Sequence, residues 1–444
     1  MKKVAVWLLL AVNCALVVGF WYWRTAHNPL GNLLMLDAAS KLLAAGRLAG
    51  LLAVLGVLSQ LLFIGRIRWI EQLYGLDRLS RLHHYNAFVV LLFLLAHVVC
   101  LTISYSLQRD AGWWEQFVTF LRDWEDLLAA AIAFALFAGL IAMSLAIVMR
   151  RLKYECWHGA HFLLYAAILL AFGHQLEVGG DFAENRWLAA YWYALYGFVL
   201  INLLVYRFVR PLYNTWRYRL VVDRVVAETA DVTSIYINGR NLEKLAIHAG
   251  QFMILRFWAR GYWWEAHPFS LSCRPNGKYL RVSIKQSGDF TRRAPHIRPG
   301  TPVIMDGPHG IFTARQSQQD KVLLIAGGIG ITPLRGLAED FLAADKDVTL
   351  LYANRMRTGI ALVDELRQLG PADRWRVYHI LSHDPDWPGE KGRLDAERLR
   401  RLVPDFRLRD IYICGPPIMM RQLLEILRVA GVPKRQLHHE RFAL

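Results

Sequence analysis

A multi-pass α-helical membrane bundle of six spans, joined to an antiparallel β-barrel and an α/β doubly wound domain, is the fold class this sequence predicts. Three observations predict it. Long apolar runs fill residues 1–210, short alternating β-rich runs fill 211–315, and strand–glycine turn–helix units fill 316–444. These are the expected domain limits.

Apolar runs fall near 4–23, 46–65, 84–104, 127–149, 157–176 and 187–208. Each approaches the roughly 20 residues needed to cross the hydrocarbon layer. The first follows Lys2 and Lys3, as a signal peptide would. Its length exceeds that of a typical cleaved segment and no A-x-A site follows, so a retained span is expected. Lys2, Lys3, Arg66, Arg68, Arg78, Arg81, Arg150, Arg151, Lys153, Arg207 and Arg210 mark one side of the membrane. Asp110, Glu115, Asp123, Glu125, Asp126, Glu177, Asp181 and Glu184 mark the other. By the positive-inside rule both termini are cytoplasmic, and the expected location is the inner cell membrane.

Four histidines stand at the ends of two of these runs: His83 and His97 in one, His161 and His174 in the other. An ionisable side chain inside a span is costly, so it marks a functional site by default. A lone intramembrane histidine more often hydrogen-bonds a neighbouring helix. Two pairs at matched depth favour ligation, because an imidazole on each side of an iron is how a b-type haem is held. A spacing of fourteen puts His83 and His97 roughly 40° apart around a helix and about 20 Å apart along it. The thirteen-residue spacing of His161 and His174 turns them roughly 140° apart on a straight helix. Gln175 occupies the fourteenth position, so a kink or π-bulge near Gly173 is expected. His84 and His158 are the alternative ligands on the cytosolic side.

The chain carries 52 Lys+Arg against 36 Asp+Glu, a net charge of +16, and residues 217–444 hold 35 and 24 of these. A basic soluble half suits an anionic cofactor and an anionic lipid leaflet. No nucleic-acid-binding motif is present. Five cysteines without a CxxC pattern argue against disulfides and iron–sulfur clusters. No calcium loop, regulatory domain or obligate regulatory subunit is evident.

After Pro211, runs such as RYRLVVDRVV, VTSIYI, QFMILRF and KYLRVSIK read as strands of the barrel. From Lys321, VLLIA, VTLLYA, RVYHIL and IYIC read as buried parallel strands with amphipathic helices between them. Gly327, Gly328, Gly330, Thr332 and Pro333 follow the first of these strands and open a helix. Glycines there let the backbone approach a pyrophosphate at the helix N-terminus. The third glycine of a GxGxxG is missing, so alone the motif equally fits a turn without a ligand.

Further motifs are His267-Pro268-Phe269-Ser270, the segment from Lys285 through Gly288-Asp289-Phe290-Thr291, Gly307-Pro308-His309-Gly310, Cys414-Gly415-Pro416, and Glu440-Arg441-Phe442 near the end. Together they resemble the ferredoxin–NADP reductase type of flavin dehydrogenase. Joined to the apolar region, residues 45–444 resemble the NADPH oxidase/ferric reductase superfamily, and GRIRWIEQLYGLDRLSRLHHYNA is similar to its cytosolic loop entering the third span.

The resemblance implies two b-type haems, FAD, and NADPH with NADH as the alternative. It assigns His83/His161 to the inner haem and His97/His174 to the outer one, with Arg47 beside the latter. It implies that His267, Pro268, Phe269 and Ser270 contact the isoalloxazine. Lys285, Gly288, Asp289, Phe290 and Thr291 would serve the FAD phosphates. Gly327, Gly328, Gly330, Thr332, Pro333 and Pro416 would take the nicotinamide nucleotide. Cys414 and Gly415 would flank the hydride path, with Ser270 and Phe442 at the flavin. Arg355, with Arg357 two residues on, would read the adenosine 2′-phosphate. The implied activity carries electrons from cytosolic NAD(P)H to a small external acceptor, oxygen or a ferric chelate. The alternatives are a membrane reductase feeding a periplasmic protein or quinone, and a proton-relay transporter.

Overall fold

The computed structural model describes residues 2–26, 36–145, 154–178 and 185–440. They form two compact units, one of 1–67 and 78–204, the other of 68–77 and 205–444.

The first unit is helical because its apolar runs must satisfy every backbone N–H and C=O internally. Its helices are α1 (Lys2–Ala26), α2 (Ala38–Ile64), α4 (Leu76–Arg109), α5 (Trp113–Asp123), α6 (Glu125–Met143), α7 (Tyr154–His161), α8 (Leu163–Val178) and α9 (Arg186–Leu204), while α3 (Arg68–Tyr74) belongs to the second unit. Asp37 caps α2 by accepting the N–H of Ser40 at 2.8 Å. One core joins Val17, Leu51, Leu55, Leu58, Trp192, Tyr196 and Val199; another joins Ala133, Phe137 and Ala167.

Five helical segments are long and apolar enough to cross a membrane, and a sixth arises if α5 and the helix from Leu127, bent by 112°, make one span. The expected span 127–149 runs into residues outside the described ones, as do Arg150, Arg151, Lys153, Asp181 and Glu184 of the charge pattern. Helix α5 is amphipathic, burying Gln116 and Phe120 and exposing Trp113 and Trp114. Its Trp face has the composition of a membrane interface.

Two boundaries differ from expectation. The last span does not stop near 208: a π-turn at Val205–Val209 leads into α10 (Arg210–Tyr218), with Pro211 in the first turn, where its missing N–H costs nothing. The units divide at Leu204/Val205 rather than at 210/211, and Arg68–Asp77 packs with the second unit.

In that unit, β1 (Val221–Ala227), β2 (Val232–Asn238) and β5 (Leu280–Lys285) form one three-stranded antiparallel sheet. The strands β3 (Phe252–Phe257), β4 (His267–Ser270) and β6 (Val303–His309) form a second. Bridges Val221–Pro302 and Leu271–Val282 join the two sheets at their edges. Alternating inward residues, among them Ile235, Ile237, Leu255, Phe257, Val282 and Met305, fill one core between them.

The remainder is a six-stranded parallel sheet of order β10-β9-β8-β7-β11-β12. Its strands are β7 (Lys321–Gly327), β8 (Asp347–Asn354), β9 (Trp375–Leu381), β10 (Glu390–Lys391), β11 (Asp410–Cys414) and β12 (Leu437–Glu440). After a short α11 (Asp289–Arg293) that follows β5, helices α12 (Ile331–Ala343) and α13 (Val363–Gln368) cover one face of this sheet; α14 (Ala396–Leu402) and α15 (Pro417–Val429) cover the other. Arg281 of β5, 2 % exposed, clasps the two halves of this unit by pairing with Glu365 of α13, which also meets Arg335 of α12 at 2.9 Å.

Candidate functional site

In the membrane unit, α4 lies close to α2 because α2 presents glycines. A Cβ on Gly50 would stand 2.7 Å from His97 Nδ1, and one on Gly56 would stand 2.7 Å from Val90. Small residues at such positions let helix backbones approach. The approach fixes both α4 histidines: His97 Nδ1 meets the Gly46 carbonyl at 2.8 Å and His83 Nδ1 meets the Gln60 carbonyl at 3.3 Å. A carbonyl can only accept, so Nδ1 carries the proton in both rings and Nε2 is left as the ligand atom. This is the orientation a metal-bound imidazole takes from its second partner.

His83 and His161 face each other with ring centroids 6.3 Å apart. Two imidazoles on opposite sides of one metal, with metal–nitrogen bonds of about 2 Å, have centroids about 6 Å apart. The pair therefore fits the haem iron it was expected to hold. His84 and His158, the alternatives, are exposed and pack on aromatic neighbours in their own segments, Tyr85 and Phe88 for the first and Trp157 and Phe162 for the second. His97 and His174 line one cavity of about 450 Å³ with Arg47, Gly50, Leu101 and Gln175. Its walls are mainly apolar, as a porphyrin requires.

The break in the helix between His161 and His174 falls at Phe162 rather than near Gly173, within one span of Cys156–Gln175. Helix α7 ends at His161 and α8 starts at Leu163, so the two histidines stand on separate helices. Gln175 is held away from ligation by accepting from Trp192 Nε1 at 2.9 Å and Tyr196 Oη at 3.2 Å.

In the second unit, β4 carries His267, Pro268, Phe269 and Ser270 antiparallel to β3. His267 rests on Phe290, ring centroids 4.2 Å apart, and meets Glu265 at 3.3 Å. Three residues expected at the FAD phosphates are engaged within the protein. Phe290 is 3 % exposed and belongs to the core. Lys285 pairs with Asp231 at 3.2 Å. Thr291 Oγ1 accepts from Ser287 and Gly288, both at 2.8 Å, closing the turn itself. Asp289 is almost fully exposed at the turn's tip.

Strand order reverses between β7 and β11, and in such sheets ligands bind outside the carboxyl ends there. Those ends carry Gly327 through Pro333 and Cys414 through Pro416, with Ala326 paired to Cys414. The glycines serve packing more than was expected. A Cβ on Gly330 would stand 2.2 Å from the Cys414 carbonyl, and one on Gly327 would strike Met419 and Pro416 at 2.7 Å. Gly328, at φ +52°, alone faces open space. Thr332 and Pro333 are buried, and the Thr332 hydroxyl donates to the Ile329 carbonyl at 3.0 Å.

Cys414 is fully buried and pairs in register with Glu440. Burial, then Glu440 and Asp77, pushes the thiol well up. Phe442 lies outside the described residues. Arg355 is exposed beyond β8. Arg357 is taken by Asp384, its Nε and terminal nitrogen at 2.8 and 2.7 Å from the two carboxylate oxygens, which holds that acid down to about 2. Asp384 was not foreseen: it follows β9, thirty residues from β8, and only the parallel pairing brings it there.

Comparison with known families supports each region separately. Residues 49–172 match a ferric reductase like transmembrane component, 220–312 an FAD-binding domain, and 324–424 an oxidoreductase NAD-binding domain. The chain has the domain architecture of the ferric reductase/NADPH oxidase superfamily. It is a membrane oxidoreductase with FAD- and NAD-binding domains. Flavohemoprotein A of Dictyostelium discoideum is 24% identical over 287 residues, covering 60% of this chain and 71% of that protein. A flavohemoprotein of Pseudomonas aeruginosa is 29% identical over 291 residues, covering 63% and 72%. Among solved structures, the FAD/NAD binding domain of nitric oxide dioxygenase from Vibrio cholerae is 24% identical, with a TM-score of 0.46, covering 50% of this chain and 98% of that domain.

Proposed function

We propose that this protein passes electrons from cytosolic NAD(P)H through FAD and two b-type haems to an acceptor outside the cell, oxygen or a ferric chelate. The observation that carries the reading is the arrangement of four histidines as two pairs, one with ring centroids 6.3 Å apart and one lining a single, mainly apolar cavity. The flavin supplies the step from paired to single electrons, which no side chain can. The chain's own residues bind and orient. The β7 and β11 turns offer a shared crevice to the dinucleotide, and β4 offers a backbone edge and the Ser270 hydroxyl to the flavin. The Gly46 and Gln60 carbonyls hold His97 and His83 through Nδ1, which would leave Nε2 of each for a haem iron. Arg47 supplies the positive charge that an anionic group in the outer cavity would meet.

The membrane orientation, with both termini and the dehydrogenase in the cytosol, is part of this proposal. The test is purification in detergent, a reduced-minus-oxidised spectrum, and NADPH consumption with oxygen, ferric chelates and cytochrome c in turn. Two b haems and one FAD per chain, with turnover that depends on the external acceptor, are expected. Absence of b-type bands would overturn the electron-transfer reading in favour of a proton-relay transporter.

A further inference from the structure

The second unit exposes tryptophans at two places that the fold brings together. The first is α10. Its buried side, with Asn214 and Tyr218, packs on β6, where Arg210 donates to the Gly307 carbonyl at 3.1 Å. Another stripe is exposed: Leu212 and Trp216, one turn apart, with Phe208 in the π-turn before them. Trp216 is 67 % exposed.

The second place is the hairpin between β3 and β4. Trp258, Trp263 and Trp264 are each more than half exposed there, and Trp258 and Trp263 meet edge to face with ring centroids 6.1 Å apart. The loop that displays them is braced. Tyr262 Oη donates to the Arg293 carbonyl at 3.0 Å, while the Arg293 guanidinium donates to the Gly261 carbonyl and pairs with Glu265. Backbone pairing sets this hairpin beside the end of α10. The Trp258 N–H donates to the Pro302 carbonyl and the Val303 N–H to the Leu220 carbonyl, both at 2.8 Å. Leu220 lies two residues beyond α10.

Charge and length say what covers these residues. Residues 205–220 hold Arg207, Arg210, Arg217 and Arg219 and no acid. Residues 256–266 hold Arg256, Arg260 and one acid, Glu265, already paired with Arg293. Exposed tryptophans among arginines suit a membrane interface, where the rings sit at headgroup level and the guanidinium groups meet anionic lipid. Arg186–Tyr218 reads as one candidate span of 33 residues, roughly 50 Å of helix. A bilayer measures about 30 Å across its hydrocarbon and about 40–45 Å with both headgroup layers. A helix that starts at one face therefore carries Leu212 and Trp216 into the headgroup layer of the other.

We infer that the α10 stripe and the β3–β4 hairpin form a lipid-docking face, seated in the headgroup layer of an anionic leaflet of the membrane that the chain spans. A helix alone would leave the second unit free to swivel; a hairpin set against the helix end adds a second attachment and fixes its orientation. The leaflet is the cytosolic one under the orientation proposed above.

The test uses the full chain in vesicles of phosphatidylcholine and phosphatidylglycerol, with the accessible cysteines removed (Cys14→Ala, Cys100→Ala and Cys156→Ala). A fluorophore on Trp216→Cys or Trp263→Cys is quenched in turn by brominated lipid and by aqueous iodide. Val429→Cys on α15, 76 % exposed, is the comparison. Lipid should quench several-fold more at 216 and 263 than at 429, and iodide several-fold less. In phosphatidylcholine alone, lipid quenching should weaken at 263 and persist at 216, which the span holds. Iodide quenching at 216 and 263 equal to that at 429 would place the face in water, and the inference is wrong. Protection from both quenchers would mean that protein covers it, which is equally fatal; a covalent dimer of Trp216→Cys on oxidation would identify that protein as a second copy. Lipid quenching at 263 that ignores the anionic lipid would overturn the choice of leaflet charge. None of these measurements uses haem, flavin or turnover, so their outcome is separate from that of the electron-transfer reading.

Discussion

His83 and His97 are held by the carbonyl oxygens of Gln60 and Gly46, whereas Arg281, Arg335 and Arg357 in the second unit are held by Glu365, Glu339 and Asp384. The difference follows from the solvent. In hydrocarbon a carboxylate placed to orient an imidazole would carry its own desolvation penalty, so a helix carbonyl, already neutral, is the cheaper partner. Near water the penalty shrinks, and ion pairs can fix geometry and join domains. One unit therefore depends on how closely helices approach, and the other on charge.

The largest expected effect strikes the neutral scaffold. His174→Leu or His97→Leu should leave one haem per chain instead of two and abolish transfer to external acceptors, read as pyridine haemochrome per protein. A ratio still at two would assign these histidines another role. Gly50→Val leaves every ligand in place, yet its Cβ would collide with the His97 ring at 2.7 Å. Overpacking of this kind costs about 1–3 kcal/mol, and the outer haem should be bound incompletely while the inner one is retained. Full occupancy of both would show that approach of α2 to α4 is not what positions His97.

The charged scaffold should respond to pH as the neutral one does not. Glu365→Ala leaves Arg281 buried without its main partner, at a cost of about 3 kcal/mol, the low end for a broken buried pair because Glu365 is a third exposed. Arg281→Met should cost less, since Glu365 still has Arg335. Although burial pulls Glu365 up, Arg281 and Arg335 bring it below the usual carboxylate range. Its folded value is depressed, so its contribution is complete above the ordinary glutamate value and is lost as pH falls through the folded one. Denaturant melts of the full chain should show a smaller loss of stability on acidification in Glu365→Ala than in the wild type, the remainder coming from other depressed acids such as Asp384.

What could be read in advance follows the same division. The four histidines stand out because ionisable groups in apolar runs are rare, and the parallel sheet because its strands are continuous buried runs. The break at Phe162 was misplaced to Gly173 because nothing in HFLLYAAILLAFGH marks where a helix divides, and Gly173 was the nearest breaker. Three features rest on contacts between distant segments: the Gly50–His97 approach, the Glu71 carboxylate on the Gly310 N–H, and Asp384 on Arg357. Local periodicity carries no trace of them. The motif glycines misled in the other direction. Gly327 and Gly330 fit a phosphate loop, but each also fills a position where a side chain would strike the β11 turn.

The smallest effect concerns nucleotide choice, and the two arginines should now part company. Arg355 is exposed, and its carbonyl accepts the His383 N–H at 2.8 Å. If its guanidinium meets the 2′-phosphate, it supplies a charge-assisted bond of about 1.5–3 kcal/mol, and Arg355→Ala should raise the KM for NADPH roughly 10- to 150-fold. NADH, which has no phosphate there, should be unaffected. Arg357 cannot share that work without leaving Asp384, so Arg357→Ala should cost NADPH much less. It also releases Asp384, a carboxylate of the kind that clasps a free ribose 2′-hydroxyl, so the remaining shift should favour NADH. Steady-state KM values for both nucleotides in both variants decide the matter. Equal losses for NADPH would mean that the Arg357–Asp384 pair opens on binding and that charge in this unit is less fixed than the free chain suggests.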